Sequence, residues 1–248
     1  MKIYNEKIYE NLPDGVLFDT DNTLYPYEIA HNSAMEEVRK RFVKDFNVNE
    51  KIFDEIFSQS RSMVKNQLAG TASSHSRLLY FQYMLENLGL GSQIMHALDL
   101  EQAYWRVFLS NANLFDNVLN LLEEIRILSI PTVIVTDLTS QIQFRKMVYF
   151  GLDKYFNFIV TSEEAGFDKP NKAPFELALK KIKNPGKTIW MIGDNHLNDI
   201  RGAKNSINAF TLQKNHEGVE IDLENSKPDV LFTEFNDIRL LLKKIQNG

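Results

Sequence analysis

Val16-Leu17-Phe18-Asp19-Thr20-Asp21-Asn22-Thr23-Leu24 is an apolar run that stops abruptly at two carboxylates one residue apart. Val16, Leu17 and Phe18 have the β-branched and aromatic character of a buried strand. That places Asp19 and Asp21 at the strand's C-terminal end, the edge where open α/β sheets bind ligands. Two neighbouring acids on a partly enclosed rim are costly without a cation or a shared proton, so the stretch predicts a positive group beside them. Taken alone, it also fits a strand followed by an Asx-type turn, with Asp19 and Asn22 bonding local backbone.

Outward from this stretch the texture is asymmetric. Upstream, residues 1–14 form a polar lead-in, with Pro13-Asp14-Gly15 as a turn into the strand. Downstream, residues 28–111 show the helical period and no convincing strand. Ala34, Val38, Phe42 and Phe46 recur at four-residue spacing, and Ile52, Ile56, Met63 and Val64 mark a second helix capped by Asn49. Ser74 is expected to cap a third, with the stripe Leu78, Phe81, Leu85 and Leu88 ended by Gly89, and Leu100, Tyr104, Val107 and Phe108 form a fourth after Asp99. From residue 113 onward, helices and strands alternate: strands at 132–136, 156–161, 188–192, 209–212 and 230–232, helices at 118–128, 141–150, 175–182, 197–204 and 237–245. Runs apolar on successive residues, such as Val133-Ile134-Val135 and Ile189-Trp190-Met191-Ile192, are what a sheet covered on both faces requires. The expected architecture is an α/β, Rossmann-like doubly wound parallel sheet, discontinuous over residues 1–27 and 112–248. A four-helix cap domain is inserted at 28–111.

The chain has 248 residues, 44% of them hydrophobic, enough for a sizeable core. With 28 basic and 33 acidic residues it carries a formal charge of −5 and no basic run, which disfavours nucleic acid as a partner. The lack of cysteine excludes a disulfide framework, a thiolate nucleophile and a thiolate-bound metal. No apolar signal core or membrane-length run is seen, so a soluble, cytoplasmic protein is expected.

Further polar positions fall at the strand edge that carries Asp19. Thr136 ends the strand at 132–136, Asp194 and Asp199 follow the strand at 188–192, and Lys169 lies in the loop Gly166-Phe167-Asp168-Lys169-Pro170. Singly, each has a plain alternative: a capping hydroxyl, a solvated lysine, a turn acid, a helix-start acid. Jointly, acids, one hydroxyl and one lysine around a strand edge suit a hard, oxygen-binding cation such as Mg²⁺ together with a phosphate.

Asp19-Thr20-Asp21-Asn22-Thr23, Thr136, Lys169-Pro170 and Gly193-Asp194 through Asp199 resemble, in order, the four motifs of the haloacid dehalogenase superfamily, and the helical insert resembles its cap. The resemblance spans residues 16–232. Asp21-Asn22-Thr23-Leu24-Tyr25-Pro26 and Lys169-Pro170-Asn171 are nearest to the branch of pyrimidine 5′-nucleotidases and acylneuraminate 9-phosphatases. Thr136-Asp137-Leu138 departs from the Thr-Asn-Gly of many relatives, which affects the phosphate contact of Asp137.

The resemblance implies an Mg²⁺-dependent phosphomonoester hydrolase acting on a small phosphorylated metabolite, a nucleoside monophosphate or a sugar phosphate. Asp19 would be the nucleophile that forms an aspartyl-phosphate, and Asp21 the acid and base of the two half-reactions. Thr136, Asp137 and Lys169 would hold the phosphate. Asp19, Asp21 and Asp194 would form the oxygen cage for the metal, with a backbone carbonyl near Asp21 contributing and Asp199 orienting Asp194 or a metal-bound water. His196 reads as a solvated helix-start residue rather than a ligand. In the cap, His75 and Arg77 are candidates for substrate specificity, because an arginine suits a second anionic group. A phosphomutase would keep the same residues and differ in how water is excluded. A dehalogenase would have no alkoxide for Asp21 to protonate, and a non-catalytic phosphate-binding module would need neither the cap nor Asp21.

Overall fold

The computed structural model describes residues 1–183 and 185–247. The chain opens with β1 (Lys2–Ile3), a 3-10 turn (Glu6–Tyr9) and β2 (Gly15–Phe18). Four helices follow: α1 (Tyr27–Phe46), α2 (Glu50–Gln67), α3 (Arg77–Asn87) and α4 (Ile94–Asn111). Then come α5 (Val118–Ile127), β3 (Thr132–Thr136), α6 (Ser140–Tyr149), β4 (Phe158–Thr161), the short α7 (Ser162–Ala165) and α8 (Lys172–Ile182). The chain continues through β5 (Ile189–Gly193), a π-type turn (His196–Arg201), α9 (Gly202–Ile207), β6 (Phe210–Lys214), β7 (Val230–Phe232) and α10 (Phe235–Asn247). It divides into two compact units, Met1–Tyr25 with Leu114–Gly248, and Pro26–Asn113.

The first unit is built on a sheet of order β1-β7-β6-β5-β2-β3-β4 among the described residues. Every pairing is parallel except β1 with β7. β2 lies between β3 and β5, with Val16 in register with both Thr132 and Trp190. All of β2, β3 and β5 is buried, which is why these strands are apolar on consecutive residues rather than alternating. Leu17, Val133, Val135, Met191, Phe175 and Ala203 belong to the core cluster that ties the sheet to α8 and α9. Successive strands step from β2 toward β4 on one side and from β5 toward β7 on the other. The order therefore reverses at β2/β5, where ligands bind in sheets of this kind.

Several sequence expectations are corrected. The polar lead-in contributes an edge strand: Lys2 and Ile3 pair with Leu231 and Val230, a match between distant residues that a two-residue strand cannot signal locally. α7 was not expected, because four residues leave no helical period to read. In the helical unit, α3 is capped by Ser76, whose hydroxyl accepts from the Leu79 amide, and not by Ser74. Ser74 is buried in a 3-10 turn (Ala72–His75), and its carbonyl takes the Tyr80 hydroxyl. α4 begins at Ile94 rather than after Asp99, since Ile94 and Met95 in its first turn are exposed and add nothing to the apolar stripe.

The second unit packs α1 against α4 and α2 against α3. Ala30, Ala34, Val38 and Phe42 form the buried stripe of α1, and Ala97, Leu100, Tyr104 and Phe108 that of α4. α1 ends where Asn47 takes a left-handed conformation, φ 51°. Two residues later the Asn49 side chain caps α2 through the Ile52 amide at 2.9 Å. Among the described residues no helix is long and apolar enough to cross a membrane.

Candidate active site

The turn after β2 is held by its own backbone. The Asp19 amide donates to Ile192 O at 2.9 Å, continuing the ladder past the strand, and the Thr20 carbonyl accepts from the Thr23 and Leu24 amides at 3.2 and 2.9 Å. Asn22 is left-handed, φ 61°, as an asparagine in a tight turn tolerates, and its carbonyl accepts from His216 Nε2 at 2.9 Å. This fixes Asp19 and Asp21 within one tight bend. The Thr23 hydroxyl lies 3.0 Å from Asp19 Oδ2 and 3.3 Å from Asp194 Oδ1, so one donor serves both acids. Thr136 Oγ1 is 3.2 Å from Thr20 Oγ1.

Lys169 is the electrostatic centre. Its Nζ donates to Asp19 Oδ1 at 2.7 Å, Asp199 Oδ1 at 2.6 Å and Val135 O at 2.9 Å, which uses all three of its protons. Its side chain is 2% exposed, and those of Asp19 and Asp199 are 10% and 1% exposed. The Lys169 amide donates to Asp137 Oδ1 at 2.8 Å. Asp199 Oδ2 accepts from the Asn195 amide at 3.1 Å. This closure requires glycine at 193, because a Cβ there would sit 2.5 Å from Asp199 Cγ. Gln213 Nε2 steadies the Asp194 carbonyl at 2.8 Å.

Negative charge exceeds positive charge in this group. Burial pushes the Asp19 carboxyl up to about 7 against the pull of Lys169, with the nearby Asp199 charge adding to the rise. Burial, then Asp19 and Asp199, push Asp194 up to about 8. Burial also raises Asp137 to about 6. Lys169, although burial opposes its charge, is held well above the usual lysine range by Asp19 and Asp199. Asp19, Asp194 and Asp199 each offer a carboxylate oxygen within 4.8 Å of the others. An all-oxygen donor set with surplus negative charge fits a hard divalent cation such as Mg²⁺.

The structure thus brings Asp19, Thr136, Asp137, Lys169, Asp194 and Asp199 to one sheet edge. The Asp21 carboxylate is held separately: its Oδ1 accepts from Lys146 Nζ at 2.7 Å and from the Tyr25 hydroxyl, and its charge is still near enough to Asp19 to help raise that carboxyl. Asp199 rather than the Asp21 side chain completes the acidic cluster. His196 is not the solvated residue expected. Its side chain is only 20% exposed, 3.5 Å from Glu220 and 3.9 Å from Asp222, because residues 220–222 fold over it. His75 and Arg77 belong to the helical unit. There the Arg77 guanidinium donates to His75 O and the Tyr27 hydroxyl and lies over the rings of Tyr80, Tyr104 and Trp105 at 5.2–5.8 Å. Burial, then Arg77, lower His31 to about 4. Sequence reasoning missed Thr23, Gly193, Gln213 and Lys146. Thr23 and Gly193 lie inside the quoted motifs, while nothing local marks Gln213 or Lys146.

A family profile for haloacid dehalogenase-like hydrolases matches residues 16–211. The chain belongs to that family. The hydrolase is 36% identical over 200 residues to the ribulose-1,5-bisphosphate 5-phosphatase of Halopiger xanaduensis, covering 80% of this chain and 83% of that one. It is 39% identical over 74 residues to the pyrimidine 5′-nucleotidase YjjG of Escherichia coli, 29% of this chain and 33% of that one. Its fold is shared with the HAD-hydrolase YfnB of Bacillus subtilis bound to magnesium, at a TM-score of 0.68 and 21% identity over 93% of this chain and 99% of that one. The hydrolase is an enzyme of the phosphatase kind.

Proposed function

We propose that this hydrolase cleaves the phosphate ester of a small phosphorylated metabolite, of the sugar-phosphate or nucleoside-monophosphate class, in an Mg²⁺-dependent reaction through an aspartyl-phosphate on Asp19. The observation that carries the proposal is the placement of Asp19 between Lys169 and Thr23, beside a second raised carboxyl on Asp194. Asp19 must be ionised to attack, and burial works against that. Mg²⁺ held by Asp19, Asp194 and the adjacent backbone would supply the charge that keeps both carboxylates ionised and offsets the phosphate's own charge.

In the first half-reaction an Asp19 oxygen forms a bond to phosphorus, the ester P–O bond breaks, and Asp21 gives the leaving alkoxide a proton. In the second, water attacks phosphorus, Asp21 takes its proton, and the bond to Asp19 breaks to free phosphate. Lys169 holds one Asp19 oxygen, which fixes the line of attack. Thr136 would donate to a phosphoryl oxygen, while the Asp137 carboxylate accepts from the Lys169 amide and so shapes the loop. The match to a ribulose bisphosphate phosphatase over most of the chain favours a sugar phosphate, whereas the nucleotidase match covers under a third. A small-molecule substrate in the cytoplasm agrees with the acidic net charge and the absence of cysteine.

A screen of phosphomonoesters with Mg²⁺, following free phosphate and the isomeric phosphosugar separately, tests this. Phosphate release with phosphate trapped on Asp19 supports the proposal. An isomerised phosphosugar without net phosphate release would make the enzyme a mutase, and turnover without phosphorylated Asp19 would end the covalent mechanism.

A further inference from the structure

Lys146 is a buried lysine whose ammonium is aimed at Asp21. It lies in the middle of α6, on the buried face with Ile142, Gln143 and Met147, and its side chain is 1% exposed. Its Nζ reaches Asp21 Oδ1 at 2.7 Å, yet the Asp21 side chain is 38% exposed. Burying an ammonium costs desolvation and freezes a long side chain, and a half-exposed carboxylate returns little of that cost. The second donor on Asp21 Oδ1, the hydroxyl of Tyr25, is equally anchored: its ring is fully buried and lies 4.9 Å from that of Phe150. Lys146 Nζ sits 5.6 Å from the centre of the same ring. Two rigid donors therefore converge on one oxygen of a carboxylate that the bend after β2 carries out to the rim.

We propose that Lys146, acting with Tyr25, is the positioning residue that orients Asp21 for proton transfer. The proposal rests on the reading of Asp21 as acid and base. Two donors on Oδ1 fix the plane of the carboxylate and hence the direction in which it gives and takes the proton. A carboxylate at a rim would otherwise sample several rotamers, and misplacement of a transferring group by about 1 Å costs on the order of 10²-fold in rate. Supporting it from a buried helix face removes that freedom before substrate arrives.

The test compares Lys146→Met and Lys146→Arg with the full-length wild type, using an alkyl and an aryl phosphate and single-turnover formation of the phospho-enzyme. Lys146→Met is expected to fold with an unchanged or higher melting temperature and to bind substrate with KM little changed. Its phospho-enzyme formation should fall on the order of 10²-fold with the alkyl phosphate. With the aryl phosphate, whose leaving group needs no proton, the fall should be several-fold at most. Lys146→Arg, which keeps a charged donor, should recover part of the alkyl rate. In an Asp21→Asn background, Lys146→Met should change nothing further.

Equal losses on both substrates, a further loss in the Asp21→Asn background, or failure of Lys146→Met to fold would each overturn the proposal in favour of a structural role. If Asp21→Asn itself shows no leaving-group dependence, the acid assignment fails first. If Asp21→Asn shows it and Lys146→Met does not, only the role of Lys146 is lost.

Discussion

Replacing Lys169 by methionine removes the ammonium shared by Asp19 and Asp199 while keeping the length and volume of the stem. Three hydrogen bonds are lost, and two carboxylates of 10% and 1% exposure lose their counter-charge. Removing one partner of a buried ion pair costs about 3–5 kcal/mol. For a unit of this size that corresponds to a fall in melting temperature of about 6–20 °C. The sign of the pH dependence follows from the carboxyls. In the unfolded chain they titrate near 4, and without Lys169 burial raises Asp19 further above that value in the folded state. The folded variant then binds more protons than the unfolded chain between about pH 4 and neutrality, so its stability falls as pH rises through that window. Thermal unfolding of the metal-free proteins at pH 5 and pH 8 is the assay: the gap between variant and wild type should be widest at pH 8. A Lys169→Met protein melting within 2 °C of wild type at pH 8 would refute the assignment of Lys169 as the charge that holds the site together.

Asp19→Asn should abolish phosphate release while the metal-free protein melts at or above the wild-type temperature at pH 8, because the change is nearly isosteric and removes one charge from a surplus; residual turnover at the wild-type rate would exclude Asp19 as nucleophile. In metal-free wild type, Asp19 at about 7 and Asp194 at about 8 hold protons that the unfolded chain has released, so stability should decline from about pH 4 to 8. Mg²⁺ should therefore raise the melting temperature more at pH 8 than at pH 5.5 and release protons on binding, and calorimetry in buffers of different ionisation enthalpy would detect a failure of either. Gly193→Ala places a Cβ 2.5 Å from Asp199. Relief of that overlap should cost about 1–3 kcal/mol and weaken Mg²⁺ binding, and a titration showing wild-type affinity would remove Asp199 from the support of the site.

Much of this arrangement is dictated locally. An apolar strand must bury Val16 to Phe18, and the chain can then leave Asp19 only at the strand's end. The same logic places Thr136 after Val133-Ile134-Val135 and Asp194 after Ile189 to Ile192. Helix spacing and the Asn49 cap likewise mark most of the inserted helical unit. Tertiary structure decides what local pattern cannot encode. β1 finds its partner β7 at the far end of the chain, through a ladder of two residues. Lys169 meets Asp19 across 150 residues, and Lys146 meets Asp21 across 125. A lysine on an α6 turn is, as sequence, indistinguishable from a solvated one. Only the packing of α6, which buries that face together with Ile142 and Met147, turns it into a fixed donor aimed at Asp21. Likewise an acid five residues past Asp194 reads as a helix-start residue. It joins the acidic cluster because the turn at His196–Arg201 folds it back over a glycine that has no side chain to stop it.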